Sequence, residues 1–196
     1  MTSSSSRHWL IASVFAALTA APCTALAATD PAGAQIESFY TALNSATRNG
    51  GVPAAKLRAL VEQAFNLPIM AQLAVGASWS SMSSAEQSAV GASLGRYVAA
   101  RYAREFDGKQ TTVVDPTVQA RGDDRLVKSE LRQKGETPTR LYYRLRQYGG
   151  VWRAIDVYAD GISVVATERA DFASSLTSGG PTLLVKKLDE ATAKLK

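Results

Sequence analysis

Between Ile36 and Leu43 the apolar side chains Ile36, Phe39, Tyr40 and Leu43 recur at the spacing of one helix face. This pattern predicts a helix over 33–49, stopped by Asn49-Gly50-Gly51. Pro53 opens a second helical stretch through Leu57, Leu60, Val61, Ala64 and Phe65. Asn66-Leu67-Pro68 breaks it and starts a third, Pro68 to Val75, with proline in the first turn and Gly76 at the end. Ser83-Ser84-Ala85-Glu86 has the form of a capping box, in which Ser83 and Glu86 satisfy each other's free backbone donors. It opens a long helix to about Phe106, striped by Val90, Leu94, Tyr97, Val98, Arg101, Tyr102 and Phe106 and closed by Asp107-Gly108. Gly91 and Gly95 weaken that helix and leave room for another element or a ligand.

From Thr111 the period changes to two. Strands are predicted at 111–120, 124–133, 139–148 and 151–158, with turns at Arg121-Gly122-Asp123-Asp124, Lys134-Gly135-Glu136-Thr137-Pro138 and Gly149-Gly150. The third alternates cleanly: Leu141, Tyr143 and Leu145 face one way, Arg140, Tyr142, Arg144 and Arg146 the other. Short turns between consecutive strands imply an antiparallel meander with one face on the core. After Asp160-Gly161, the apolar stretch Ile162 to Val165 leads into two C-terminal helices, about 166–177 and 182–195, separated by Gly179-Gly180-Pro181. The fold class is α+β: a helical N-terminal half on a curved antiparallel sheet of about four strands, two C-terminal helices, and an apolar pocket between sheet and helices, NTF2-like in general shape.

The first residues alter how the composition reads. A start containing Arg7 and His8, an apolar run from Trp9 to Ala21, and the small-residue exit Ala25-Leu26-Ala27 form a secretory signal peptide, residues 1–27, cleaved before Ala28. The apolar run is about a dozen residues, too short for a spanning helix of about 20. Pro22 before Cys23 is a poor match to a lipid-attachment site. Cleavage removes His8 and Cys23, the one histidine and the one cysteine. About 169 residues remain, 28–196, enough for one domain with a real core. That domain carries a mild charge of about +4 and no disulfide, which favours a bacterial periplasm. The densest basic group, Arg140, Arg144, Arg146 and Arg153, alternates with apolar residues on strands; it reads as a solvated sheet face or a weak attraction to anionic headgroups or an acidic partner, and lacks the concentrated stripe of a nucleic-acid binder.

Without histidine or cysteine, Ser-His-Asp and Cys-His catalysis and the usual zinc and copper sites disappear. No phosphate loop or dinucleotide fingerprint is present, so neither a cofactor nor a metal is expected. Glu37, Asp107, Asp156 and Asp160 are the carboxylates available as bases, and Asp156, between Ile155 and Val157, is the best placed for an NTF2-like isomerase or hydrolase. The alternative for Asp156 is a satisfied polar residue held by an arginine or a helix N-terminus. The aromatic set suits a hydrophobic pocket as well as a filled core.

The run Ala64-Phe65-Asn66-Leu67-Pro68-Ile69-Met70-Ala71-Gln72-Leu73-Ala74-Val75-Gly76-Ala77-Ser78-Trp79, then Ser83-Ser84-Ala85-Glu86-Gln87, and later Tyr143-Arg144-Leu145-Arg146 and Trp152-Arg153-Ala154-Ile155-Asp156-Val157-Tyr158-Ala159-Asp160-Gly161, resembles the MlaC (toluene tolerance) family, periplasmic auxiliary components of lipid ABC transporters. Its first block is similar to the HpnM branch, associated with hopanoid biosynthesis. The resemblance runs from about Ile36 to Leu188. It implies a non-enzymatic, soluble periplasmic carrier that shuttles a phospholipid or hopanoid between membranes and serves outer-membrane lipid asymmetry. The partners it implies are an inner-membrane transporter complex and an outer-membrane component, with a monomeric carrier and no nucleic acid. By position, the residues expected to bind lipid, as pocket or core, are Phe39, Phe65, Met70, Leu73, Trp79, Leu94, Tyr97, Tyr102, Leu141, Tyr143, Trp152, Ile155 and Ile162.

Overall fold

The computed structural model describes residues 30–47, 54–106 and 110–195. The expected signal peptide with His8 and Cys23, the predicted stop at Asn49-Gly50-Gly51, Pro53 and the predicted terminator Asp107-Gly108 lie outside the described residues. Four helices come first: α1 (Pro31–Thr47), α2 (Ala54–Ala64), α3 (Leu67–Val75) and α4 (Ser84–Glu105), with a 3₁₀ turn at Gly76–Ser81 between the last two. Strands β1 (Thr111–Arg121), β2 (Asp124–Arg132), β3 (Thr139–Tyr148), β4 (Val151–Ala159) and β5 (Ile162–Ser163) follow, and α5 (Val164–Lys194) ends the chain.

Helices α1, α3 and α4 each start where a side chain serves their free N–H groups. The Asp30 carboxylate accepts from Ala32 N at 2.8 Å ahead of α1. Asn66 accepts from Ile69 N at 3.3 Å ahead of α3. Ser83 and Glu86 form the predicted capping box, with Ser83 N donating to Glu86 Oε2 at 2.8 Å and Glu86 N to Ser83 Oγ at 3.3 Å. Gly76 ends α3 with φ +70°, a conformation that glycine adopts without a Cβ penalty.

The sheet is a five-stranded meander in sequence order, every neighbour antiparallel. The predicted four strands are all present; the fifth, two residues long, is too short for a period-two pattern to announce. The two predicted C-terminal helices abut as α5 with no loop between them. The element is kinked where Gly179 and Gly180 leave helical dihedrals, and Pro181 restarts it. Gly180 has φ +67°, so the kink depends on a residue that tolerates the left-handed region.

Helices cover one face of the sheet. Tyr143 and Leu145 on β3 and Val127 on β2 are fully buried there, against Ile36, Phe39, Tyr40 and Leu43 of α1 and Leu57 and Val61 of α2. α4 crosses α2 and α3, and α5 lies on α4, α3 and β4. Close approach is realised at Gly95, where a Cβ would come within 2.8 Å of Leu67 Cδ1; at Gly91 it would meet open space.

The other sheet face carries Arg144 and Arg146, both 2.6 Å from Asp124 through their Nε atoms. Burial of the Asp124 carboxylate works against ionisation, but the hydrogen bonds and charges of Arg146 and Arg144 outweigh it and hold the group below the usual carboxylate range. A depressed folded value means that this triad stabilises fully above the unfolded value of about 3.9 and loses its contribution as pH falls through the lower folded one. Asp124→Asn is therefore expected to lower Tm at neutral pH and to flatten the acid limb below about pH 4. Thermal melts of both proteins from pH 2 to 7 measure it; parallel acid limbs would contradict the assignment.

Candidate functional site

Where α4 and α5 meet the helix-facing side of the sheet, the core does not close. A cavity of about 310 Å³ remains, walled by Met70 and Ala74 of α3, Leu94, Tyr97, Val98 and Tyr102 of α4, and Val164 and Val165 of α5. Leu131, Thr139, Leu141, Val157 and Ala159 of strands β2, β3 and β4 form the opposite wall, and Phe65 and Phe106 complete the lining. Its walls follow from alternation. Leu141 and Ala159 are cross-strand partners pointing to the helix side. Positions 94, 97, 98, 101, 102 and 105 fall on one α4 stripe at three-and-four spacing.

Behind this cavity lies a ring cluster. The Phe39 ring stands 5.3 Å from both Phe65 and Tyr102, nearly perpendicular to each. Below it the Tyr143 hydroxyl sits 2.6 Å from that of Tyr40 and 3.4 Å from that of Tyr102, and Tyr40 also reaches Ser129 Oγ at 3.3 Å. Burial pushes all three phenols above the ordinary tyrosine range, so they remain neutral and satisfy one another.

The mouth is charged. Arg101, Glu105 and Glu168 line it, with Arg101 Nη2 3.3 Å from Glu105 Oε1 and its guanidinium 6.0 Å from the centre of the Tyr97 ring. Burial pushes the Glu168 carboxyl above the usual range, against the pull of Arg101 and with help from the nearby Asp171.

A larger open depression, about 520 Å³, lies on the other sheet face among Arg121, Asp124, Arg125, Leu126, Tyr142, Arg144, Tyr158 and Gly161. Half of its lining residues are charged, and Asp124 there is already bridged to Arg144. The cavity between sheet and helices, with its more apolar lining, is the better site for an apolar ligand.

Of the predicted residues, the structure brings Phe65, Met70, Leu94, Tyr97, Tyr102 and Leu141 to the cavity wall. The others are not on it. Phe39 and Tyr143 are buried one layer deeper, in the ring cluster. Ile155 is buried beside the register shift between Arg144 and Leu145, which turns it away from the lining. Leu73 packs on the core while its carbonyl accepts from Arg169. Trp79 lies in the 3₁₀ turn, where its carbonyl accepts from Gln87 Nε2 at 2.9 Å. Trp152, at the far end of β4, packs 5.2 Å under the Arg125 guanidinium. Ile162 is 68% exposed, neither pocket nor core, because β5 pairs only with the edge of β4. Val98, Arg101, Glu105 and Glu168 line the cavity although they were not expected to; Val98 and Arg101 were already on the α4 stripe, and one further helical turn from Arg101 reaches Glu105.

Among the described residues the candidate carboxylates are not brought together. Asp156 is buried and fully engaged: Oδ1 accepts from Val157 N at 2.8 Å and Val165 N at 3.2 Å, and Oδ2 accepts from Ser163 Oγ at 2.7 Å. It holds the first turn of α5, as the helix N-terminus alternative required. Glu37 is exposed, Asp160 accepts from Arg140 N in a turn, and Asp107 lies outside the described residues. Among the described residues no three His, Cys, Asp or Glu side chains converge to hold a metal ion. Asp156→Asn is expected to cost about 2 kcal/mol of stability, through lost charged hydrogen bonds, and to leave ligand retention unchanged. A denaturant titration beside a binding assay checks both halves.

Among the described residues no helix is long and apolar enough to cross a membrane. No curated protein matches the chain in sequence. A solved phospholipid-binding protein from Ralstonia solanacearum, in complex with a phospholipid, has the same fold: TM-score 0.71 at 24% identity, covering 85% of this chain and 99% of that one. Residues 39–190 of the 196, from the ring cluster through the cavity walls to the last turns of α5, match the family described as MlaC protein, and the chain belongs to that family.

Proposed function

We propose that this protein is an exported lipid carrier, in which residues 28–196 form one binding domain and the cavity between sheet and helices holds the apolar part of a phospholipid or hopanoid. The observation that carries this reading is the apolar cavity itself, roofed by α4 and α5, floored by β2, β3 and β4 and open at its charged mouth. Burying eight methylenes there gains about 6 kcal/mol at roughly 0.8 kcal/mol each, enough to hold a lipid out of water with no catalytic group. Membership of the MlaC family and the phospholipid bound by the Ralstonia protein of like fold both support it. In this reading the protein is a periplasmic monomer that receives or delivers its lipid at an inner-membrane transporter complex, with an outer-membrane component at the other end. The rival, hydrolysis or isomerisation by Asp156, loses its base to the α5 cap.

The test is mass spectrometry of lipids extracted from the processed protein purified from the periplasm, beside uptake from vesicles by delipidated protein. A stoichiometric lipid supports the reading and shows whether it is a phospholipid or a hopanoid. A protein that purifies empty and takes up no lipid overturns it.

A further inference from the structure

The cavity walls are apolar, but its mouth carries two carboxylates to one guanidinium. Arg101 lies between Glu105, 3.3 Å away, and Glu168, which approaches from α5 beside Tyr97. A lipid with its chain in the cavity presents its polar end to these three charges. A phosphate at Arg101 meets a guanidinium whose charge is already shared, and it sits beside two like charges. A headgroup that brings an ammonium as well as a phosphate resolves this: the phosphate takes the guanidinium and the ammonium takes a carboxylate. The arginines of the outer sheet face, Arg144 and Arg146, are committed to Asp124 and point away from the cavity.

We propose that this mouth is a headgroup site selective for amine-bearing zwitterionic lipids, with phosphate on Arg101 and ammonium on Glu168 and Glu105, and that it discriminates against net-anionic headgroups. The inference rests on the carrier reading of the same cavity. Glu168 is the less exposed of the two, so an ammonium beside it is less screened by solvent and offsets the burial that raises its carboxyl.

The experiment offers delipidated, processed protein a single vesicle population holding equal moles of phosphatidylethanolamine and phosphatidylglycerol with identical chains. Both lipids share one membrane, so surface attraction of the basic protein cannot bias the result. After separation, the lipids in the protein are counted by mass spectrometry. The wild type is expected to hold the ethanolamine lipid in about fivefold excess. Glu168→Gln is expected to bring the ratio close to one, and the more exposed Glu105→Gln to move it in the same direction by less. Circular dichroism confirms that both variants are folded. A wild-type ratio of one or below, or a ratio that neither variant moves, overturns the headgroup site while the loaded lipid still supports the carrier. No lipid in any sample overturns the carrier reading and this inference together.

Discussion

Ala159→Trp is expected to weaken lipid retention roughly fifty-fold, because an indole in the cavity displaces at least three lipid methylenes at about 0.8 kcal/mol each. Ala159 stands on β4 opposite Leu141, half-buried because its methyl faces the cavity and not packed atoms. A larger side chain there enters free space, so the strain of overpacking a filled core does not arise. Tm is expected to stay within about 3 °C of the parent, or to rise, since the indole buries apolar surface of its own. The control is the adjacent Tyr158→Trp. Tyr158 alternates to the outer sheet face, among Tyr142 and Arg144, and the same bulk there leaves retention unchanged. Retention is read from the lipid remaining on each protein after dilution into empty vesicles. If Ala159→Trp holds its lipid as the parent does, the lipid is bound elsewhere.

The period-two rule that separates 158 from 159 was available in the sequence, although the strand predicted over 151–158 stopped one residue short of Ala159. The same rule placed Leu141, Tyr143 and Leu145 on one face, and the capping box of Ser83 and Glu86 announced the start of α4 to the residue. Depth was not legible. Leu141 and Tyr143 share a face and a strand, yet Tyr143 is fully buried and Leu141 lines a void, because α1 covers one and the gap under α4 and α5 leaves the other open. Periodicity reports which side a residue is on and says nothing about how many layers cover that side. Ile162 failed for a related reason: an apolar residue beside a turn looks buried in sequence, but a two-residue edge strand has nothing packed over it. Arg101 was seen on the α4 stripe but not as a site residue, since its role depends on Glu168 arriving from α5, far along the chain.

Phe65→Ala is expected to cost about 4 kcal/mol in the lipid-free protein, the usual size for an aromatic removed from a packed core. Phe65 is 2% exposed and its ring touches those of Phe39, Tyr102 and Tyr143, at 5.3, 5.7 and 6.2 Å between centres. Its backbone also bridges to Ala154, and Asn66 N donates to Ala154 O at 2.8 Å, so the ring anchors the join between α2 and α3 onto β4. For a domain of this size a loss of about 4 kcal/mol lowers Tm by roughly 8–16 °C. The location of the void adds a second expectation. Phe65 forms one wall of the cavity, so truncation enlarges an existing space instead of opening a sealed one. A bound lipid can extend into that space and restore part of the lost apolar contact, and a ligand that binds only the folded state stabilises it further. The Tm deficit of Phe65→Ala is therefore expected to shrink when mutant and parent are both lipid-loaded. Leu57→Ala, fully buried between the helices and away from the cavity, provides the comparison: its deficit is expected to be the same with and without lipid. Equal deficits for Phe65→Ala in both states would place the lipid out of contact with this ring.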